Sequence, residues 1–153
     1  MIVCVVLTMR IRFFFGLKDV SADRSGMSCM TNRNLVLVVD DDPGMLRGVW
    51  RLLRQHDYEP ILFSSAEAFK NHTDFGGAVC VVLDINLNDG SGIELRHRLR
   101  ANGISVPVIY MTGNGDPAVR NAALDSGCIA FLTKPFSAQS LIEPLKKASA
   151  GDS

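Results

Sequence analysis

A chain of 153 residues, 47% hydrophobic and 21% charged, can bury one sizeable core and is too short for two ordinary domains. Its 16 basic residues balance its 16 acidic ones, which excludes a net field drawing it to nucleic acid or an anionic membrane. The four cysteines, Cys4, Cys29, Cys80 and Cys128, have no Cys-x-x-Cys spacing, and a reducing cytoplasm is expected.

Residues 1–33 read unlike the rest. The apolar run IVCVVL is far too short to span a bilayer, and Arg10 and Arg12 follow it, whereas a signal peptide carries its charge first. This stretch is expected to be a disordered extension, with Met27 or Met30 as an alternative start. From Leu35 onward, short β-branched runs alternate with longer segments of helical spacing, the pattern of repeated βα units around a parallel sheet.

The first strand is predicted at 35–39 (LVLVV), followed by a helix over 43–55. In that helix Met45, Leu46, Val49, Leu52 and Leu53 form an apolar stripe with Trp50 at its edge, and Pro43 follows the acidic cap Asp42. A second strand at 60–64 (PILFS) leads into a helix at 65–71, capped by Ser64 or Ser65. The third strand, AVCVVL at 78–83, precedes a helix at 91–101 closed by Asn102 and Gly103. VPVIYM at 106–111 and CIAFL at 128–132 complete the strands, each followed by a helix, at 116–126 and 137–148. Runs one, three and four are apolar almost throughout, as strands covered on both faces must be. Five βα units predict a doubly wound α/β fold over 34–148 with a short tail at 149–153. No linker to a second periodic region is read.

Open α/β sheets carry their sites beyond the carboxyl ends of the strands. The first strand ends in Asp40, Asp41 and Asp42, the third in Asp84, the fourth in Thr112, and the fifth in Thr133, Lys134 and Pro135. Taken singly, each has a plain reading: DDD as a helix cap, Asp84 as a turn residue, Lys-Pro as a loop exit. Together they bring carboxylates, a hydroxyl and an ammonium to one rim. Converging carboxylates repel unless a cation joins them, and hard oxygen ligands suit Mg²⁺. Lys134 would neutralise a phosphoryl oxygen, Thr112 would donate a hydrogen bond, and Asp84 would be the nucleophile. The histidines, His56, His72 and His97, lie away from this rim without zinc spacing, and are expected at the surface.

The motifs VLVVDDD (36–42), VVLDINL (81–87), VIYMTGNGD (108–116) and GCIAFLTKPF (127–136) together resemble the receiver domains of two-component response regulators. The wording of TGNGD and FLTKPF is most similar to regulators of the nitrogen-fixation type. The resemblance covers 34–148 and implies a flavodoxin-like five-stranded parallel sheet of order 2-1-3-4-5 with five helices. It implies that Asp84 accepts a phosphoryl group from a sensor histidine kinase or a histidine phosphotransfer protein. Asp41 would be the main Mg²⁺ carboxylate, with Asp40 holding the ion or its water, and Asn86 would ligate through its backbone carbonyl. The Lys134–Pro135 peptide would be cis.

Thr112 and Phe131 match the family's switch pair, although Phe131 lacks the phenol of tyrosine versions. Met45, Gly48, Pro135 and Phe136 match its kinase-docking region, and Asn86 and Asn114 the positions that tune acyl-phosphate lifetime. One departure is Asn88, where the family commonly has proline; the loop LNDGSG is expected to be looser and to rely on Gly90 and Gly92 for its turns. The expected function is a phosphoacceptor switch of the surface formed by the fourth helix, fifth strand and fifth helix. It would be a monomer or a phosphorylation-dependent dimer, acting on another protein, with no contact to nucleic acid or membrane. The alternatives are a degenerate receiver used for docking and an aspartate-nucleophile phosphatase. Against the latter, such enzymes carry Asp-x-Asp after the first strand. A flavin carrier shares the sheet order, but the acidic first loop would repel its phosphate.

Overall fold

Alternation along the strands decides which side chains meet which helices. The computed structural model describes residues 34–113 and 115–151, so the extension expected at 1–33 lies outside the described residues. Five strands, β1 Leu35–Val39, β2 Glu59–Phe63, β3 Ala78–Asp84, β4 Val108–Thr112 and β5 Ala130–Thr133, pair in parallel in the order β2-β1-β3-β4-β5. Five helices connect or follow them: α1 Pro43–Gln55, α2 Ala66–Lys70, α3 Gly92–Ala101, α4 Pro117–Asp125 and α5 Ala138–Ser149. This is the doubly wound, flavodoxin-like sheet expected from the sequence.

Successive strand residues point to opposite faces. Val36, Val38, Cys80, Val82, Ile109 and Met111 pack with Leu46, Val49 and Leu53 of α1 and with Leu141, Ile142 and Leu145 of α5. The intervening residues, among them Leu37, Leu83 and Tyr110, pack with Ala66 and Phe69 of α2, Leu95 and Leu99 of α3, and Ala123 of α4. The central strands β1, β3 and β4 are buried almost throughout, while the edge strands β2 and β5 are only partly covered. Cys80 is wholly enclosed, and burial pushes its thiol up, so it behaves as a small hydrophobe. Among the described residues, no helix is long and apolar enough to cross a membrane.

Each helix begins behind a short polar side chain that accepts an orphan N–H: Asp42, Ser65, Ser91, Asp116 and Ser137. Pro107 has no N–H to offer the ladder, although its carbonyl accepts from Val81 at 2.9 Å, and β4 begins at Val108 rather than Val106. His72 departs from the surface placement expected for it: it is half-buried, edge-on to Phe63 and Phe75 with ring centroids 5.2 and 5.1 Å away. His56 and His97 are exposed as expected.

Two further corrections concern the loop after β3. It forms an antiparallel ribbon, Asn86–Leu87 against Gly90–Ser91, and is not loose. Neither Gly90 nor Gly92 has a positive φ; Gly92 is required by close approach, and Gly90 is tightly packed. A Cβ on Gly92 would lie 2.5 Å from the Asp84 carbonyl oxygen, and one on Gly90 would lie 3.2 Å from Ala66 Cβ.

The contrast with Gly48, where a Cβ meets nothing within 4 Å, can be tested. In urea unfolding, Gly48→Ala is expected to stabilise the chain by about 0.5–1 kcal/mol, because a helix-interior glycine is replaced at an exposed position. Gly92→Ala is expected to destabilise it by about 1–3 kcal/mol through overpacking. Equal effects of the two changes would contradict the packing described for Gly92.

Candidate functional site

The carboxyl ends of β1, β3, β4 and β5 deliver their polar residues to one place. The three aspartates after β1 divide into three tasks. Asp40 is fully buried; its backbone N–H continues the ladder to the Phe63 carbonyl at 3.1 Å, and its Oδ1 accepts from the Asp42 N–H at 2.9 Å. Asp41 is half-buried at the rim, and its Oδ2 accepts from the Asn88 N–H at 2.7 Å. Only Asp42 is the helix cap, accepting from the Gly44 N–H at 2.9 Å.

Asp84 closes β3 and is 4% exposed. Its Oδ1 accepts from the Asn86 N–H at 3.0 Å, and its Oδ2 accepts from Lys134 Nζ at 3.2 Å. The same ammonium donates to Asp40 Oδ2 at 2.9 Å. Lys134 is aimed inward by its own backbone, whose N–H donates to the Thr112 carbonyl at 2.7 Å, and its peptide with Pro135 is cis. Carboxylate oxygens of Asp40, Asp41 and Asp84 lie within 4.8 Å of one another. One ammonium among three carboxylates leaves an excess of negative charge on a set of hard oxygen donors, which suits a small divalent cation.

Thr112 ends β4, wholly buried, and its Oγ1 accepts from the Asn86 side-chain amide at 3.3 Å. Asn86 therefore touches the Asp84 carboxylate with its backbone and the threonine hydroxyl with its side chain. Phe131 pairs with Tyr110, two residues before Thr112 on the same face of the sheet, and is half-buried under the guanidinium of Arg120 at 5.0 Å. Met45 and Phe136 are half-buried against the core on the α1 and α5 side, whereas Gly48 and Pro135 are exposed. Asn114 lies outside the described residues.

Sequence reasoning read Asn88 only as a departure from the family's proline, and missed Asp89. The Asp89 carboxylate accepts from the Ala66 and Glu67 N–H groups at 2.9 and 3.0 Å, which holds it below the usual carboxylate range. The Asn-Asp-Gly run signalled a tight turn, but nothing in it signalled that a backbone N–H would reach Asp41.

Burial, and then the charge of Asp40, push the Asp84 carboxyl up to about 6 from an ordinary 3.8, against the pull of Lys134 and the Asn86 N–H. Burial opposes the charge on Lys134, yet the hydrogen bond it donates to Asp40 and the attraction of both carboxylates hold it above the usual amine range. Asp84 is thus an unusually basic, half-neutralised carboxylate beside a cation, fit for nucleophilic attack on an anionic, oxygen-rich group.

The profile of the response regulator receiver domain matches residues 36–146. Among curated proteins, the chain is 29% identical over 126 residues to the response regulator protein TodT of Pseudomonas putida, covering 82% of this chain and 56% of that protein. It is 33% identical over 119 residues to the transcriptional regulatory protein FixJ of Bradyrhizobium diazoefficiens, covering 78% of this chain and 58% of that one. The chain therefore spans little more than half the length of these relatives. Among solved structures, a response regulator receiver protein from Pseudoalteromonas atlantica superposes with a TM-score of 0.73 at 25% identity, covering 78% of this chain and 99% of that one. FixJ-N superposes with a TM-score of 0.69 at 30% identity, covering 79% and 96%.

A carboxyl whose pKa is raised by folding binds its proton more tightly in the native state, so stability is lost as pH rises from about 4 to about 6 and the loss is complete above that window. In divalent-free buffer, the unfolding free energy of Asp84→Asn relative to the unsubstituted protein is expected to grow across this window by on the order of 2–3 kcal/mol. Urea unfolding at a series of pH values reads it, and a difference that stays flat would mean that Asp84 is not a strained carboxylate.

Proposed function

Because the chain belongs to the response regulator receiver domain family, we propose that it is a phosphorylation switch whose acceptor is Asp84. The observation that carries this reading is the meeting of Asp40, Asp41, Asp84 and Lys134 at one rim, with Asp84 both buried and basic. The donor is a phosphohistidine on a sensor kinase or histidine phosphotransfer protein. An Asp84 oxygen attacks phosphorus, the phosphorus–nitrogen bond breaks, and the histidine leaves as an acyl phosphate forms.

Asp41, Asp84 and the backbone carbonyl of Asn86 are the groups that would hold Mg²⁺. Both oxygens of Asp40 already accept hydrogen bonds, from the Asp42 N–H and from Lys134, which favours an indirect role through water. When bound, the ion neutralises charge and polarises the phosphoryl oxygens. Lys134 exchanges its bond to Asp84 for one to a phosphoryl oxygen, acting as a compact point charge.

Thr112 reports the event. Its hydroxyl turns from the Asn86 amide toward the new phosphoryl oxygen, and Phe131 fills the space it leaves. The readout is packing, since a phenylalanine ring has no hydroxyl to bond inward. The change is delivered to a partner protein through the α4–β5–α5 surface. Met45 and Phe136, with the exposed Gly48 and Pro135 beside them, form the edge on which the donor's helices dock. Asn86 and Asn114 set the acyl-phosphate lifetime. The free, buried Cys80 fits a reducing cytoplasm, where we place the reaction.

Incubation with Mg²⁺ and acetyl phosphate is expected to add one phosphoryl group per chain by intact mass, and either EDTA or Asp84→Asn to abolish it. Labelling of Asp84→Asn at the rate of the unsubstituted protein would remove Asp84 from the role. No labelling of the unsubstituted protein by acetyl phosphate or by any phosphohistidine donor would leave only a docking module.

A further inference from the structure

The bond between Asn88 and Asp41 belongs to a more extensive framework than a loop contact needs. Asp41 sits on β1's exit and is only half-buried, so its side chain has rotamers to lose. At 2.7 Å, the Asn88 N–H to Asp41 Oδ2 contact is a short, charge-assisted hydrogen bond between segments 47 residues apart. The donor is itself held on three sides. Asn86 and Leu87 pair with Ser91 and Gly90 in the ribbon, the Asp89 carboxylate is fixed by the Ala66 and Glu67 N–H groups, and Gly90 lies against Ala66. A donor so constrained orients its acceptor and does not follow it.

We propose that the backbone N–H of Asn88 is a positioning group for the divalent cation, fixing one oxygen of Asp41 so that the other faces Asp84. This rests on the reading of the acidic rim as a cation site. The frame keeps Asp41 in its ligating rotamer before the ion arrives, and groups that orient metal ligands from outside commonly govern affinity by 10- to 100-fold. The role falls to the main chain, and it is open to this chain because Asn88 stands where the family commonly has proline, which has no N–H to donate. Two obstacles to proline are absent there: Asn88 does not have a positive φ, and Leu87 is already extended, as a residue before proline must be.

The test is Mg²⁺ titration of the unphosphorylated chain by calorimetry, with thermal unfolding in EDTA alongside. Asn88→Pro is expected to weaken Mg²⁺ about tenfold, whereas Asn88→Ala, which keeps the N–H, is expected to stay within about twofold of the unsubstituted protein. A merely structural role would lower the melting temperature of Asn88→Pro in EDTA and leave its Mg²⁺ binding unchanged. Should Asn88→Pro fail to fold, an ester in place of the Leu87–Asn88 amide removes the same hydrogen and is expected to give the same loss. Unchanged or tighter Mg²⁺ binding in the proline or ester variant overturns the positioning role while leaving the cation site standing. Absence of Mg²⁺ binding by the unsubstituted chain overturns both.

Discussion

Two nearly inaccessible carboxylates, Asp40 and Asp84, share a single ammonium, and the functional end of the sheet is organised around that sharing. A carboxylate buried alone gives up its charge sooner than its burial, so ionised aspartates at these positions require a cation at contact distance. Lys134 is that cation, reaching across 94 residues of sequence to Asp40 and 50 to Asp84. Its position depends in turn on the backbone bond to Thr112, so the ends of β1, β3, β4 and β5 are tied through one side chain. The neutralisation is incomplete. With Asp41 counted, the rim holds three carboxylates for one ammonium, and burial, then the charge of Asp40, raises the basicity of Asp84. A site left short of positive charge is one that a divalent cation can complete.

The backbone geometry serves the same end by a different means. Gly92 lets the start of α3 approach the Asp84 carbonyl so closely that a methyl group has no room, and the Gly92 N–H donates to the Ile85 carbonyl at 3.1 Å. This folds the chain back within a few residues of Asp84 and makes the ribbon possible. Asp89 then fastens the ribbon to α2, and the Asn88 N–H fastens it to Asp41. The loop is rigid because neighbouring elements hold it, not because its own residues prefer a turn.

Most of the architecture was legible from pattern alone. The strand runs, the apolar stripe of α1 and the caps Asp42 and Ser65 stand where periodicity and N–H accounting place them, and α1 spans the residues assigned to it. Strand ends were harder to place, since Pro107 is apolar enough to extend a strand and yet cannot join its ladder. The rim residues could be found because each follows a strand, and a parallel sheet brings all such positions to one edge. Two things were not legible. One was how deeply each of Asp40, Asp41 and Asp42 would be buried, since their side chains are identical; the other was the long-range contacts of backbone N–H groups, as from Asn88 to Asp41 and from Ala66 and Glu67 to Asp89. Gly90 and Gly92 misled in a specific way, because glycine signals both turns and close approach and only the packed neighbour tells which.

The helices differ in how firmly they are attached, and this bears on where a change at the rim can travel. α1, α3 and α5 each bury three residues, whereas α4 buries only Ala123. The C-terminal end of α4 is anchored by Ser126, whose hydroxyl donates to the Ala123 carbonyl and meets the buried Tyr110 phenol at 2.7 Å. Beyond Ala123, its remaining hold on the sheet includes Arg120 over the Phe131 ring and the half-buried Val119. A helix with one buried residue and a fixed far end can shift at small free-energy cost. Thr112 leads directly into the segment that begins this helix, and Phe131 lies under it. The movement proposed for that hydroxyl and that ring would therefore act on the helix with the fewest buried residues, while α1 and α5 keep their seats on the opposite face.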